Sequence, residues 1–224
     1  MSEFVRGMKE SIPIQVGILP FALILGAQGA KKGMTVAEVP LMTGLNFAGG
    51  SEFAAIGLWQ DPLPILLIVA VTFMINTRHI LMGAAFVPYI KHLPMKKLLP
   101  ALFFMADECW AMGLADAKKH GIFSWSYYMG VALLFYSVWV FFTFVGAMIG
   151  PHLGDIEAWG FGMAFPAVFL VLLRGLWKSF AAARPWFVSL AVAVATYLLV
   201  DGAWYVITGT LAGLASAWFW GEKA

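Results

Sequence analysis

The chain has 224 residues, of which 62% are hydrophobic and only 12% are charged, and its formal net charge is +2. A soluble domain usually carries about 25% charged and about 45–50% apolar residues, so this composition excludes an ordinary soluble domain and predicts a lipid-facing protein. The near-neutral charge argues against nucleic-acid binding. The single cysteine, Cys109, excludes an intramolecular disulfide and a multi-cysteine metal site.

Eight apolar segments follow one another along the chain, each near the length that crosses a bilayer or somewhat shorter. Backbone polar groups in lipid must find partners within their segment, so all eight are expected to be helical. The sequence therefore predicts an all-α, polytopic integral membrane bundle of seven or eight segments, some broken or short, in a single membrane domain over residues 1–224. The segments are residues 12–30, 40–58, 63–88, 98–117, 126–149, 159–176, 186–200 and 203–220.

The two ends of the chain leave alternatives open. Arg6 and Lys9 precede an apolar run that ends in small residues, which loosely imitates a cleavable signal peptide. Pro13, Pro20 and the membrane segments that follow favour a first span that is retained. The last two segments are short and are divided only by residues 201–202, so they form either two spans or a tight helical hairpin that does not fully cross.

Lysine and arginine residues in short loops indicate which face of the membrane is cytoplasmic. In the C-terminal half they fall in residues 118–124 and 174–185, whereas the intervening loop is acidic, so both basic loops are predicted to be cytoplasmic. If every segment crosses, the N-terminus lies inside and the basic loop 91–97 lies outside. If segment 40–58 is re-entrant, the N-terminus moves to the outside, whereas the predicted position of loop 91–97, also outside, does not change.

Glycine and proline interrupt the second and the sixth segments. Interrupted segments at matching positions of two halves, here 1–120 and 121–224, are typical of transporter binding sites and suggest an internal repeat. Because glycine and proline are common in membrane helices, chance is the alternative explanation. The interruptions are Gly49-Gly50 in the second segment, and Gly160, Gly162 and Pro166 in the sixth.

An ionisable residue inside a span costs about 2.5–3.5 kcal/mol on insertion scales, so each one needs a structural or functional reason. The first cluster is Asn46, Gly49, Gly50, Ser51 and Glu52. Gly49-Gly50 can open the helix, and Ser51 can cap a new half-helix whose positive end suits a substrate carboxylate. Glu52 would then hold a proton or bind a substrate ammonium group. Alternatively, the glycines only allow close packing and Glu52 pairs with Arg78.

The second cluster is Asn76, Arg78 and His79, within the segment that begins at residue 63. Asn76 and His79 are spaced to share a helix face. Arg78 keeps its charge, so it must contact an anion or water. We expect it either to bind the substrate carboxylate or to pair structurally with Asp107. A hydrogen-bonded structural role is more typical of a histidine such as His79 than a role as proton relay.

The third cluster is the adjacent pair Asp107 and Glu108. Neighbouring helical residues point in different directions, so the two carboxylates are not expected to face one pocket. One of them is predicted to form an ion pair with Arg78 across neighbouring helices, whereas the other titrates. Asp201 is better explained as the turn between two short helices.

The chain carries no HExxH, GxSxG or Walker A motif and no clustered His or Cys ligands. We therefore expect neither enzymatic activity, nor a cofactor, nor a bound metal. A transporter without a nucleotide site draws on an ion gradient. Desolvation penalises the charged form of a carboxyl group, so a proton exchanged at Glu52 is the natural coupling hypothesis.

Five motifs, in order and at comparable spacing, make the chain resemble the AzlC family, the larger subunits of branched-chain amino acid exporters. Residues 7–13 are similar to that family's G-x-x-D/E-x-x-P pattern, and residues 47–53 to its A-G-A/G-S/A-Q-F signature. Residues 76–79 resemble its N/D-x-R-H motif, residues 106–108 its T-D-E motif, and residues 160–167 its G-F-x-x-P-A stretch.

This resemblance implies a permease that exports valine, leucine, isoleucine and sometimes methionine, together with a small hydrophobic AzlD-type second subunit. Glu52 and Ala106 stand where the family commonly has Gln and Thr, so other small aliphatic amino acids are an alternative substrate class. We expect a secondary, proton-coupled exporter embedded in the lipid bilayer of a bacterial inner membrane. A homo-oligomer remains open, and a channel or a non-transporting accessory subunit is the alternative function.

Overall fold

The computed structural model describes residues 2–154, 163, 170, 174, 177, 179–200 and 204–220. Most of the predicted segment 159–176 and Asp201 lie outside the described residues. The second interruption of the proposed repeat lies there too, so the repeat stays a prediction. The helices of the described part are α1 Glu3–Lys31, α2 Glu38–Asn46, α3 Gly49–Gly57, α4 Ile65–Asn76, α5 Arg78–Ile90, α6 Met95–Phe103, α7 Asp107–His120, α8 Trp125–Ile149, α9 Arg184–Leu199 and α10 Trp204–Trp220.

Three stretches of the described chain are long and apolar enough to cross a membrane. They are α1, the α4–α5 pair over Ile65–Ile90, and Trp125–His152, which extends α8 by a short 3-10 turn. An all-helical chain is thus observed over the described residues, but the predicted seven or eight crossings are not confirmed. Two predicted segments, 40–58 and 98–117, are instead each split into two short helices.

Helices α1 and α8 pack along their length in parallel, because glycines let their backbones touch. A Cβ added at Gly7 would collide with the carbonyl of Tyr127, near the first residues of both helices. Towards their last residues, a Cβ at Gly26 would collide with the carbonyl of Thr143, and one at Gly146 with that of Leu23. Small residues at such contacts are the usual means of close helix packing in membranes.

Helices α2 and α3 form a hairpin, here called hairpin 1, that turns back on itself. The chain breaks at Phe47, whose φ of 45° is left-handed, and at Ala48. A Cβ at Gly29, near the end of α1, would lie 2.6 Å from Val39 and 3.4 Å from Ile56. Both ends of hairpin 1 therefore lie at the α1 C-terminus.

Helices α6 and α7 form a second hairpin, hairpin 2, at the opposite end of α1 and α8. The indole Nε1 of Trp125 donates to the carbonyl of Lys97 at 3.2 Å, which places the start of α6 at the start of α8. Asp116, near the end of α7, forms an ion pair at 2.8 Å with Arg6, which lies at the start of α1. Hairpin 2 thus begins and ends at the N-terminal ends of α1 and α8.

This arrangement corrects two expectations. Segment 98–117 is not one continuous helix, because α6 ends at Phe103 and α7 begins at Asp107 after an extended Ala106. The loops 91–97 and 118–124, expected on opposite faces, lie at the same end of α8. The re-entrant alternative for segment 40–58 fits hairpin 1. Because a second hairpin also turns back, the N-terminus lies at the same end as loop 118–124, so a re-entrant segment 40–58 no longer implies a reversed N-terminus.

Helices α9 and α10 pack tightly on each other, which fits both alternatives for the last two segments. A Cβ at Gly209 would lie 2.8 Å from that of Ala193. The hydroxyl groups of Thr196 and Thr208 are 2.8 Å apart and share a hydrogen bond.

Candidate functional site

The tips of the two hairpins meet beside the middle of α8 and enclose a cavity of about 90 Å³. The Phe47 and Phe104 rings, one from each tip, have centroids 6.2 Å apart. Both rings also pack against Tyr136, at 5.1 and 5.2 Å. The cavity wall combines apolar side chains, two glycines and three charged groups. It is formed by Ile18, Phe21, Phe47, Ala48, Gly49, Gly50, Phe53, Arg78, Ala106, Asp107, Glu108, Phe135 and Trp139.

The N-terminus of α3 supplies unpaired donors to this wall. The N–H groups of Ser51 and Glu52 donate to the carbonyl of Ala48, but those of Gly49 and Gly50 donate to no other described residue. The first N–H groups of a helix have no partner within the helix and attract anions. Glycine at position 49 fits closely against α8, because a Cβ there would lie only 3.0 Å from the Trp139 ring, which would have to shift.

Glu52 lies behind the wall and does not line the cavity. It is fully buried, and its carboxylate accepts from the Thr43 hydroxyl at 2.6 Å, the Ala48 N–H at 2.8 Å and the Trp139 indole at 3.1 Å. The expected pairing of Glu52 with an arginine is wrong, because three neutral donors already surround the carboxylate. Its predicted role in coupling stays a prediction.

The predicted capping role of Ser51 is also wrong. Ala48 occupies the N-cap position of α3 and makes no side-chain capping bond. The Ser51 hydroxyl instead donates to the Ala48 carbonyl at 2.9 Å and accepts from the Asn46 amide at 3.0 Å. Helix α3 begins at Gly49, three residues earlier than the capping argument requires. Asn46 and Ser51 therefore stabilise the break between α2 and α3 and do not line the cavity.

Arg78 lies at the α4–α5 junction and pairs with Asp107, as predicted. Its Nη1 is 2.8 Å from Asp107 Oδ2, and both side chains are about 30% exposed. The ion pair connects α5 to the tip of hairpin 2. Asn76 and His79, the other polar residues of this cluster, do not line the cavity. They contact each other instead, with His79 Nδ1 3.1 Å from the carbonyl of Asn76. Arg78 Nε and Asn76 Oδ1 are buried without a hydrogen-bond partner among the described residues.

Asp107 and Glu108 both line the cavity, contrary to the expectation that they would diverge. That expectation assumed a position inside a continuous helix, whereas the two residues open α7 directly after the break. Negative charge in a first helical turn is stabilised by the helix dipole. Asp107 is engaged by Arg78, whereas the Glu108 side chain makes no hydrogen bond to another described residue. The cavity therefore holds one neutralised ion pair and one carboxyl group that no other described residue engages.

Sequence reasoning missed the aromatic wall and the residues that hold Glu52. Phe21, Phe135 and Trp139 come from α1 and α8, and their pattern is that of ordinary apolar packing. Only the packing of α1 on α8 brings these rings beside the hairpin tips. Thr43 carried no signal at all, since its hydroxyl is nine residues from its acceptor Glu52 in sequence.

The fold defines a helical membrane protein with a small cavity where two broken helices meet. The family model described as AzlC protein matches residues 13–153, and the chain belongs to this family. Together with the named relatives, this confirms the resemblance seen in the sequence.

Relatives span nearly the whole chain at low identity. An uncharacterised membrane protein of Helicobacter pylori is 24% identical over 212 residues, covering 92% of each chain. Inner membrane protein YgaZ of Escherichia coli is 26% identical over 176 residues, 76% of this chain and 71% of its own. The branched-chain amino acid transport protein AzlC of Bacillus subtilis is 23% identical over 202 residues, 90% of this chain and 79% of its own. No solved structure matches the chain.

Proposed function

We propose that this protein is a secondary transporter that exports branched-chain or other small aliphatic amino acids, and that the substrate occupies the cavity between the hairpin tips. The observation that supports this proposal most strongly is that residues with unpaired N–H groups, opposite charges and aromatic rings line one partly open cavity. Broken helices whose N-termini point at a central site are the usual means by which transporters hold a substrate carboxylate.

The size and lining of the cavity support a small, partly apolar solute. On the same measure a single water needs about 10–15 Å³, so 90 Å³ accommodates several water-sized groups and not a peptide. Phenylalanine and tryptophan side chains make up much of the wall, which suits an aliphatic side chain. The similarity to a branched-chain amino acid transport protein supports the same substrate class.

In the proposed membrane arrangement α1, α4–α5 and α8 cross the bilayer of a bacterial inner membrane, and the two hairpins enter it from opposite faces. Basic residues then concentrate on one face, which we assign to the cytoplasm. That face holds the N-terminus, the 91–94 turn and the 121–124 turn. The basic residues at that face include Arg6, Lys9, Lys91, Lys96, Lys97, Lys118 and Lys119, whereas Lys31 and Lys32 lie at the opposite end of α1.

Export requires an energy source, and we propose a proton gradient with Glu52 as the exchanging group. Glu52 is the most deeply buried acid of the described chain, and it contacts both hairpin 1 and α8. A change in its charge would alter the hydrogen bonds that Thr43, Ala48 and Trp139 donate to it, and these bonds position the tip of hairpin 1. Proton exchange at this position would thus be coupled to the geometry of the cavity wall.

A small hydrophobic second subunit of the AzlD type is part of the proposal. Large apolar side chains of α4, α9 and α10 are exposed on the described chain, among them Leu66, Leu199 and Trp218. Lipid or a hydrophobic partner has to cover such a surface. Purification in mild detergent after co-expression tests this: the small subunit is expected to co-elute, and full activity of the large chain alone would contradict it.

Counterflow in proteoliposomes, with the small subunit co-expressed, tests the transport function. A transporter gives saturable exchange of leucine, isoleucine or valine, a channel gives linear flux, and a non-transporting subunit gives neither.

Gly49→Ala is expected to abolish exchange, because its new Cβ meets the Trp139 ring and narrows the cavity. Gly57→Ala is the matched control in the same helix, since a Cβ there has open space.

A further inference from the structure

The cavity has an electrical polarity that determines how a zwitterion lies in it. On one wall, the N-terminus of α3 presents the unpaired N–H groups of Gly49 and Gly50. On another, α7 presents Asp107 and Glu108. The charge of Asp107 is compensated by Arg78 at 2.8 Å. The Glu108 carboxyl group is bonded only to its own backbone N–H and to no other described residue, so it is the acidic group of the wall that is open to a ligand.

We propose that Glu108 binds the ammonium group of the transported amino acid, while the N–H groups of Gly49 and Gly50 bind its carboxylate. This assignment rests on the proposed function. It names Glu108 as the residue that selects solutes with an amine over solutes without one. A charge-assisted hydrogen bond from an ammonium group is short and strong, and Glu108 offers two acceptor oxygens for it. The substrate side chain then faces the aromatic part of the wall.

The opposite orientation is unfavourable. An ammonium group at Gly49 and Gly50 would face N–H donors and the positive end of a helix, so it would find repulsion and no acceptor. A substrate carboxylate at Glu108 would meet a like charge. Glu52 is not an alternative partner for the ammonium group, because it lies behind the wall and is occupied by Thr43, Ala48 and Trp139.

Glu108 should therefore distinguish an amino acid from its deaminated analogue. A site built to bond a substrate group rejects the analogue that lacks the group, since the site's own polar atom is then left unpaired. Leucine and 4-methyl-2-oxopentanoate have the same carboxylate and the same side chain, and they differ in the group that we assign to Glu108. Replacing Glu108 should remove the preference between the two.

Isothermal titration of the purified large subunit with its co-expressed partner tests the assignment with these two compounds. The wild-type complex is expected to bind leucine at least about tenfold more tightly than the oxo acid. Glu108→Gln keeps the shape of the side chain and removes its charge. It should weaken leucine binding by about tenfold or more and leave oxo-acid binding within about threefold of the wild-type value.

The matched control is Glu38→Gln, an exposed glutamate at the start of α2 and outside the cavity, which should keep the wild-type preference. Gel filtration and the thermal midpoint establish that each variant is folded. If Glu108→Gln keeps the preference for leucine, or weakens both ligands equally, Glu108 does not bind the amine. If the wild-type complex neither binds nor exchanges leucine, isoleucine or valine, the proposed function itself is wrong.

Discussion

Glu52 illustrates how one buried carboxylate can define a break between two helices. Burying a charge is expensive unless hydrogen bonds compensate for the lost hydration. Here the compensation comes from Thr43 in α2, the Ala48 N–H in the break and Trp139 in α8. The carboxylate thereby positions Gly49 and Gly50, which line the cavity, although Glu52 itself does not.

Replacing Glu52 by Gln should separate its proposed proton exchange from its structural role. Gln keeps the shape and one acceptor oxygen, so the protein should fold and exchange substrate, but its transport rate should lose the pH dependence of the wild type. Counterflow at several pH values measures this. Glu52→Ala removes the acceptors of three donors and should destabilise the fold by about 1–3 kcal/mol for each one left buried. An unchanged pH profile in Glu52→Gln would assign coupling to another group.

The Arg78–Asp107 pair should contribute to stability mainly because each charge needs the other. Asp107→Asn leaves Arg78 without its anion, and for a partly exposed pair we expect a loss of about 1–3 kcal/mol. Removing both charges in Arg78→Gln/Asp107→Asn should recover part of this loss. Thermal unfolding in detergent measures the cycle, with the exposed Asp61→Asn as control. Additive effects of the two single substitutions would show that the pair is not coupled.

The sequence identifies most of the charged site but not its geometry. The cost of a charge in lipid was sufficient to single out Arg78, Asp107 and Glu108, and it predicted the ion pair between the first two. It could not reveal that Glu52 lies behind the wall, because that depends on donors distant in sequence. Nor could it show that Asp107 and Glu108 face one cavity, since this requires a break just before them.

At the scale of the element, the two hairpins differ in how visible they are in the sequence. In hairpin 1, Gly49-Gly50 indicates a break in the sequence, although the chain turns at Phe47 and Ala48, just before these glycines. The break of hairpin 2 falls at Phe104, Met105 and Ala106, which contain neither glycine nor proline. Apolar periodicity runs through such a break unchanged, so the pattern predicts one continuous helix.

The parallel contact between α1 and α8 should depend on its glycines. Gly26→Ala places a Cβ against the carbonyl of Thr143, and overpacking of this kind typically costs about 1–3 kcal/mol. We expect a lower thermal midpoint in detergent. Gly17→Ala is the control in the same helix, because a Cβ there has open space and alanine favours helix by about 1 kcal/mol. Equal midpoints for the two variants would contradict close packing at Gly26.

At the scale of the whole molecule, two hairpins that turn back explain why α1 and α8 are parallel. The chain passes along α1, returns along α4–α5 and passes again along α8, and each hairpin starts and ends at one end of this set. A single hairpin of this kind would make α1 and α8 antiparallel. The arrangement also removes the basic external loop that a simple count of crossings requires, because loop 91–97 then joins the other basic loops on one face.

Cysteine labelling should test this topology, because Cys109 is the single cysteine and is buried. In a Cys109→Ala background, cysteines replace three exposed residues, His92, Ile122 and Lys32, one at a time. If hairpin 2 turns back, His92→Cys and Ile122→Cys react with an impermeant maleimide from the same face of the membrane. Lys32→Cys, at the opposite end of α1, reacts from the other face and serves as the internal control. Labelling of positions 92 and 122 from opposite faces would mean that residues 95–120 cross the bilayer. The charge distribution also predicts which face this is: positions 92 and 122 should react only when the cytoplasmic face is exposed, as in inverted vesicles.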